Sequence, residues 1–325
     1  MDTASVFKIN NGEQFDREAL KVFDFQSREN PIYKEFLSLL NISPMNIRKI
    51  EEIPFLPIQF FKSHRIVSNH KKEETVFLSS GTTGMTPSKH FVTDLSIYQE
   101  SYLKGFEKFY GKPEEYHILA LLPSYLERSG SSLIYMVDDL ISKSRSEHSG
   151  FYLHNFDELN EKILYLEKKK EKTLLIGVSY ALLDFTEKYQ FSLKNTLVME
   201  TGGMKGQRKE MVKEELHKTL CQNFGVDKIH SEYGMTELLS QAYSKGDGIF
   251  QTPPWMKILI RDTEDALTLL PYGRTGGINI IDLANINSCS FIATQDLGKA
   301  HSDNTFEVVG RFDSSDIRGC NLMVV

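Results

Sequence analysis

The sequence predicts an α/β protein: a mainly parallel sheet flanked by helices, followed by a small C-terminal β subdomain. Two observations predict it. Between Glu74 and Tyr243, short apolar runs alternate with segments of helical periodicity, which is the pattern of βαβ units. Beyond about Gly246 the helical period stops, and short strand-like runs follow with turn residues between them.

The elements follow in order. Up to about residue 70 the chain reads as helical and then extended. Phe15, Leu20, Phe23 and Phe25, then Ile32, Phe36, Leu37 and Leu40, recur at helical spacing. Pro54 and Pro57 forbid a regular helix through Ile53–Lys62. That segment's large apolar residues still need burial, so it is read as an extended strip packed on the body. Residues 71–245 form the α/β body. Leu95, Tyr98, Tyr102, Phe106 and Phe109 mark an amphipathic helix stopping near Gly111. Tyr116–Leu122 is a buried strand, and Leu133–Ile141 a helix. Leu159, Ile163 and Leu166 mark the next helix, with Glu and Lys on its outer face. Thr173–Val178 is a strand, Ala181–Tyr189 a helix and Thr196–Met199 a strand. Met211, Leu216 and Leu220 give a helix ending near Gly225. Residues 246–325 hold strands at 257–261, 267–270, 277–283, 290–294 and 305–309, expected to form a distorted barrel, and then a tail. The three stretches are read as one domain.

Composition narrows the function classes. A net charge of −6 gives no reason to expect nucleic acid or an anionic membrane as partner. The start is unlike a signal peptide, and no apolar run reaches spanning length. Three scattered cysteines, Cys221, Cys289 and Cys320, fit a reducing cytoplasm rather than a disulfide framework. No Cys/His spacing suggests zinc. His90, His154 and His230 are read as structural or surface residues, and His230 adjoins a candidate site segment.

Four segments carry the chemistry. The first is Ser79-Ser80-Gly81-Thr82-Thr83-Gly84, leading to Lys89 between two β-like runs. Glycine permits close backbone approach, hydroxyls and N–H groups can ring phosphate oxygens, and lysine adds a mobile positive charge. Its spacing is not that of a Walker A loop, and taken alone it fits a polar surface hairpin equally well. The second is Glu200-Thr201-Gly202-Gly203. The third is Tyr233-Gly234-Met235-Thr236-Glu237, and the fourth is Asp296-Leu297-Gly298 with Gly310-Arg311 beyond it. Each alone could be a turn, a strand end or a surface cation. In this order, at strand ends, the combination is specific.

Together the segments resemble the adenylate-forming superfamily of acyl-CoA synthetases, peptide-synthetase adenylation domains and luciferases. Within it the sequence is most similar to the acyl-protein synthetases of bacterial luminescence, with the Pro54–Lys62 segment and Arg318-Gly319-Cys320 as further points of likeness. The resemblance implies the fold of that superfamily's large N-terminal domain, with ATP and Mg²⁺ used to activate a carboxylic acid. It implies that Ser79, Ser80, Gly81, Thr82, Thr83, Gly84 and Lys89 hold phosphates. It further implies that Gly202 and Gly203 lie against adenine, and that Tyr233, followed by Gly234, stacks on it. Thr236 would meet the α-phosphate, Glu237 would help hold Mg²⁺, and Asp296 and Arg311 would bind ribose.

One departure stands out: twelve residues follow Asp313, where most of the superfamily continues into a mobile domain carrying a catalytic lysine. In the luminescence branch a cysteine near the end takes the acyl group, and Cys320 lies at that place. Arg318 two residues before it would favour the thiolate. The implied activity is a cytoplasmic acyl-protein synthetase acting on a carboxylic acid, read as a fatty acid. A reductase or acyltransferase is the implied acyl-accepting partner. The alternatives are a phenylacetate-type CoA ligase and a non-catalytic adenylate-binding scaffold. The segment Leu121–Ser132 is expected to line part of the acid pocket.

Overall fold

The computed structural model describes residues 3–68, 71–80, 86–123, 130–202, 208 and 211–312. Two helices open the chain, α1 (Gly12–Glu29) and α2 (Pro31–Leu39). Asn11 caps the first by accepting from the Gln14 N–H. Asn30 caps the second, with Pro31 at the position where no N–H is missed. The extended strip then forms β1 (Leu56–Pro57), which lies parallel to a late strand, and closes with one helical turn, α3 (Phe60–Ser63). Phe55, Leu56, Ile58 and Phe61 are all buried, as their apolar character requires.

The body alternates as expected. A hairpin, β2 (Thr75–Leu78) and β3 (Lys89–Val92), is followed by α4 (Leu95–Tyr110), β4 (His117–Leu121), α5 (Ser132–Ser144) and β5 (Gly150–Phe151). Then come α6 (Phe156–Lys169), β6 (Thr173–Val178), α7 (Ser179–Lys188), β7 (Thr196–Thr201), α8 (Lys213–Phe224) and β8 (His230–Tyr233). Strands β5, β4, β6, β7 and β8 pair in parallel. The central strands β4, β6 and β7 are almost wholly buried, because helices cover a parallel sheet on both faces.

The remaining strands are β9 (Ala242–Ser244), β10 (Ile249–Gln251), β11 (Met256–Arg261), β12 (Leu269–Leu270), β13 (Thr275–Asp282), β14 (Phe291–Ala300) and β15 (Thr305–Arg311). All pair antiparallel with their neighbours, except that β14 also takes β1 in parallel. Two features differ from the sequence expectation. The β9–β10 hairpin joins this part to β8, so one open ladder runs β12-β11-β13-β14-β15-β10-β9-β8-β7-β6-β4-β5 without closing into a barrel. Cys289 lies just before β14 rather than inside a strand, yet it is fully buried. Burial pushes its thiol up to about 12. Among the described residues, no helix is long and apolar enough to cross a membrane.

Candidate active site

The site forms where the carboxyl ends of β7 and β8 meet the β2–β3 hairpin and the β14–β15 pair. Ligands of open α/β sheets bind beyond such strand ends. The hairpin comes first. Leu78 pairs with Lys89 across its base. Beyond that pair, the Ser79 and Ser88 backbones bond at 3.1 Å, and Ser79 Oγ accepts from the Ser88 N–H at 2.8 Å. The chain therefore enters the Gly-rich segment at Ser79 and leaves it at Ser88 at one point. Ser80 and Lys89 are exposed there, Ser79 partly so. Gly81, Thr82, Thr83 and Gly84 lie outside the described residues, as do Gly203, Cys320 and residues 124–129 of the expected acid-pocket segment.

Strand β8 delivers the next group. It ends at Tyr233, and the Gly234–Glu237 turn follows. Tyr233 packs edge-on against Phe250 and Phe306, and its hydroxyl donates to Asp296 Oδ2 at 2.8 Å. Asp296 sits on β14 directly opposite Arg311 on β15, whose Nε lies 3.5 Å from Asp296 Oδ1. Burial raises the Asp296 carboxyl above the ordinary range, against the Tyr233 hydrogen bond and the charges of Arg311 and Arg261. Glu237 is 6% exposed. Burial raises its pKa too, while the Ser88 hydroxyl bonds to it. The structure thus brings Ser79, Lys89, Tyr233, Thr236, Glu237, Asp296 and Arg311 to one end of the sheet. Gly202 joins them at the end of β7, where Thr201 Oγ1 donates to Glu232 on β8 at 2.5 Å. A Cβ on Gly234 would stand 2.5 Å from Glu232 Oε1, so a larger residue there would displace that carboxylate.

Three supporting groups were given no role in the site by the sequence, although Glu200 stands in the second segment and His90 was read as structural or surface. Glu200 is 3% exposed, with Lys213 Nζ at 2.9 Å and His217 Nε2 at 3.4 Å. Burial alone would raise its pKa; the His217 hydrogen bond and the Lys213 charge outweigh that and hold it at about 2. Ser179 at the start of α7 donates at 2.6 Å to the Gly202 carbonyl and lies 3.3 Å from Glu200 Oε2, setting the Gly202 turn beside the same cluster. Arg261 lies buried beneath Asp296 and donates to Ile278 O, Asn279 Oδ1 and Thr294 O. It fits because residue 277 is glycine: a Cβ there would meet Arg261 Cζ at 2.5 Å. The third group is His90, buried on strand β3 of the hairpin. A signal for Glu200 was present, an acidic residue directly before Thr201-Gly202-Gly203, but only the folded contacts give it partners. The histidines expected to be structural have such surroundings: His230 accepts or donates at 3.2 Å to the Tyr110 hydroxyl, and His154 sits exposed in a turn.

The fold and this constellation define the class, the adenylate-forming ligase fold. A solved structure of ATP-bound MatB from Rhodopseudomonas palustris matches with a TM-score of 0.54 at 18% identity, over 73% of this chain and 47% of that one. A 2-hydroxyisobutyryl-CoA ligase in an open conformation, with 2-HIB-AMP and CoA, matches with a TM-score of 0.64 at 12% identity, over 93% of this chain and 70% of that one. The chain therefore spans about half the length of the MatB structure. The family model for acyl-protein synthetase, LuxE, matches residues 135–325, and the chain belongs to that family. No curated protein sequence matches.

Proposed function

We propose that this protein uses ATP to activate a carboxylic acid, read as a fatty acid, and passes the acyl group to a protein thiol. The observation that carries the reading is the meeting of the Ser79–Lys89 hairpin, the Thr236–Glu237 turn and the Tyr233–Asp296–Arg311 group at one sheet edge. In the first half-reaction a carboxylate oxygen attacks the α-phosphorus. A new P–O bond forms, the bond to the bridging oxygen breaks, and pyrophosphate leaves. Lys89 and the loop donors would neutralise the charge leaving with pyrophosphate, and Thr236 would meet the α-phosphate. Gly202 with Gly203 and the Tyr233 ring would hold adenine, and Asp296 with Arg311 the ribose. Catalysis of this kind is mostly positioning.

Glu237 with the neighbouring Ser88 hydroxyl offers only hard oxygen donors. That set suits Mg²⁺, which keeps several waters and binds through one or two carboxylates plus substrate phosphates. When bound, Mg²⁺ supplies charge neutralisation at the phosphates. In the second half-reaction a thiolate attacks the acyl carbonyl and AMP leaves. Cys320 is the proposed acceptor, with a reductase or acyltransferase as the partner that collects the group. Family membership supports a protein thiol ahead of CoA. A cytoplasmic location belongs to the same reading.

The test is ATP–pyrophosphate exchange across a panel of carboxylic acids, with the intact-protein mass measured afterwards. One class of acid is expected to support exchange and to add its acyl mass. Lys89→Ala and Glu237→Ala should each reduce exchange by about two orders of magnitude, as loss of a charge-stabilising group does. Normal exchange in both variants would refute the site assignment.

A further inference from the structure

The inner face of the phosphate hairpin does something the motif chemistry leaves out. Side chains alternate along β3 and the residue before it. Ser88 and His90 are buried, while Lys89 between them is exposed. Both inward residues reach the turn beyond β8. The Ser88 hydroxyl bonds to Glu237. His90 Nδ1 lies 2.8 Å from the carbonyl oxygen of Thr236. A carbonyl can only accept, so Nδ1 carries the proton and Nε2 is left as a bare acceptor. Nε2 is buried with no hydrogen-bond partner among the described residues. Phe61 packs edge-on against the ring with centroids 5.7 Å apart, holding the imidazole in its plane. Burial keeps the ring neutral, with a pKa near 4, against the opposing Thr236 bond.

Histidine is a poor choice for plain packing at this position. Phenylalanine or leucine would fill the space without stranding an acceptor away from water. What the imidazole contributes is its Nδ1–H. The next carbonyl along the turn is held as well: Asn285 Nδ2 donates to the Glu237 oxygen at 2.7 Å. Two successive carbonyls, Thr236 from the hairpin side and Glu237 from the C-terminal side, are thus fixed by buried donors. With its backbone clamped at both, the turn presents the Thr236 and Glu237 side chains in one arrangement relative to Lys89.

We infer that His90 is a positioning residue for adenylation: it clips the Thr236–Glu237 turn to the phosphate hairpin, 146 residues away in sequence, through its Nδ1–H. This rests on the proposed use of that turn for the α-phosphate and metal. A loss of the clip leaves ATP bound by its other contacts and misplaces the groups that act in the transition state, so kcat falls more than KM rises.

The test uses three variants of the full chain. His90→Asn keeps an amide donor where Nδ1 stood, His90→Gln moves the donor to the place of Nε2, and His90→Phe removes it. In carboxylate-dependent pyrophosphate exchange, Gln and Phe should lower kcat by roughly tenfold or more while KM for ATP moves by less than about threefold. Asn should stay within about threefold of wild type in both. Thermal midpoints show which variants fold. Equal exchange in all three variants would overturn the inference. So would an Asn variant that loses as much as Gln, which is what a packing role predicts. A wild type that exchanges with no acid refutes the proposed function instead, and the clip is then read directly. Nitrogen-15 NMR of labelled histidine, with His90 identified by its loss in the Asn variant, should show a protonated Nδ1 protected from exchange. An Nε2–H tautomer at that residue would overturn the inference whatever the activity.

Discussion

Glu200→Gln isolates one buried charge and keeps its shape. The wild-type carboxylate has a 4% exposed side chain, with Lys213 and His217 against it. A pKa held at about 2 instead of the ordinary 4.5 means that the folded state prefers the ionised form. At about 1.4 kcal/mol per tenfold, that preference is worth ~3 kcal/mol. Lys213 is 31% exposed and can turn back to water when its partner is neutral. The expected loss at pH 7 is therefore about 2–3 kcal/mol, below the 3–5 typical of a fully buried pair. The sign with pH follows from the depressed pKa. The contribution is complete above the unfolded value near 4.5 and is lost as pH falls from there towards 2. The gap between wild type and variant should hold steady from pH 8 to about 5 and narrow below that. Urea unfolding can be followed by the fluorescence of Trp255, the single tryptophan, which is 3% exposed with Nε1 donating to Ser101 and Ser240. A variant within about 0.5 kcal/mol of wild type at pH 7, or a gap unchanged to pH 3, would refute the reasoning.

Three further outcomes are expected. Gly277→Ala should cost about 2–3 kcal/mol in the same urea assay, because Arg261 is pinned by its acceptors and cannot yield to a Cβ 2.5 Å away; a wild-type midpoint would contradict this. Asp296→Ala should weaken ATP binding by roughly tenfold or more in calorimetry, while Tyr233→Phe, which keeps the ring and loses only the hydroxyl to Asp296, should cost less; the reverse order would sink the ribose assignment. Cys320→Ser should retain pyrophosphate exchange yet form no hydroxylamine-labile acyl-protein, and an adduct that persists would move the acceptor elsewhere.

The sequence carried the fold wherever periodicity could act over enough residues. Thr173–Val178 appears as the strand expected, and the helices around Leu95–Phe109 and Leu159–Leu166 appear where their apolar spacing put them. Strands of three residues leave no period to read. The β9–β10 hairpin was missed for that reason, and with it the join between the parallel and antiparallel parts. Strand β14 continues to Ala300 because Gln295–Gly298, which reads as a turn, is instead absorbed as an irregularity in register between Leu297 and Gly298. The site divides in the same way. Residues whose chemistry is intrinsic, such as Lys89, Glu237 and Asp296, can be picked out by type and order. Residues whose role lies in what they touch, such as Glu200, Arg261 and His90, have partners far away in sequence, so only folding defines them.

The arrangement also separates two kinds of charge. The carboxylates are fixed and dry: Glu237 is 6% exposed, and Asp296 has a 17% exposed side chain tied to Tyr233. Two of the cations are wet: Lys89 is exposed, and the Arg311 side chain is 73% exposed, unlike the buried Arg261. A nucleotide reverses the demands on each. Ribose hydroxyls and a hydrated metal need acceptors already in place, because an acceptor that must be ordered on binding costs side-chain entropy at that moment. Phosphate charge moves during the reaction, so its partner must follow it, and a solvated lysine on a flexible stem can do so with little desolvation beforehand. Burial raises both carboxyls above their ordinary range, and a cation brought beside either would draw it back down. Under the proposed function, Mg²⁺ arriving with ATP would be such a cation for Glu237.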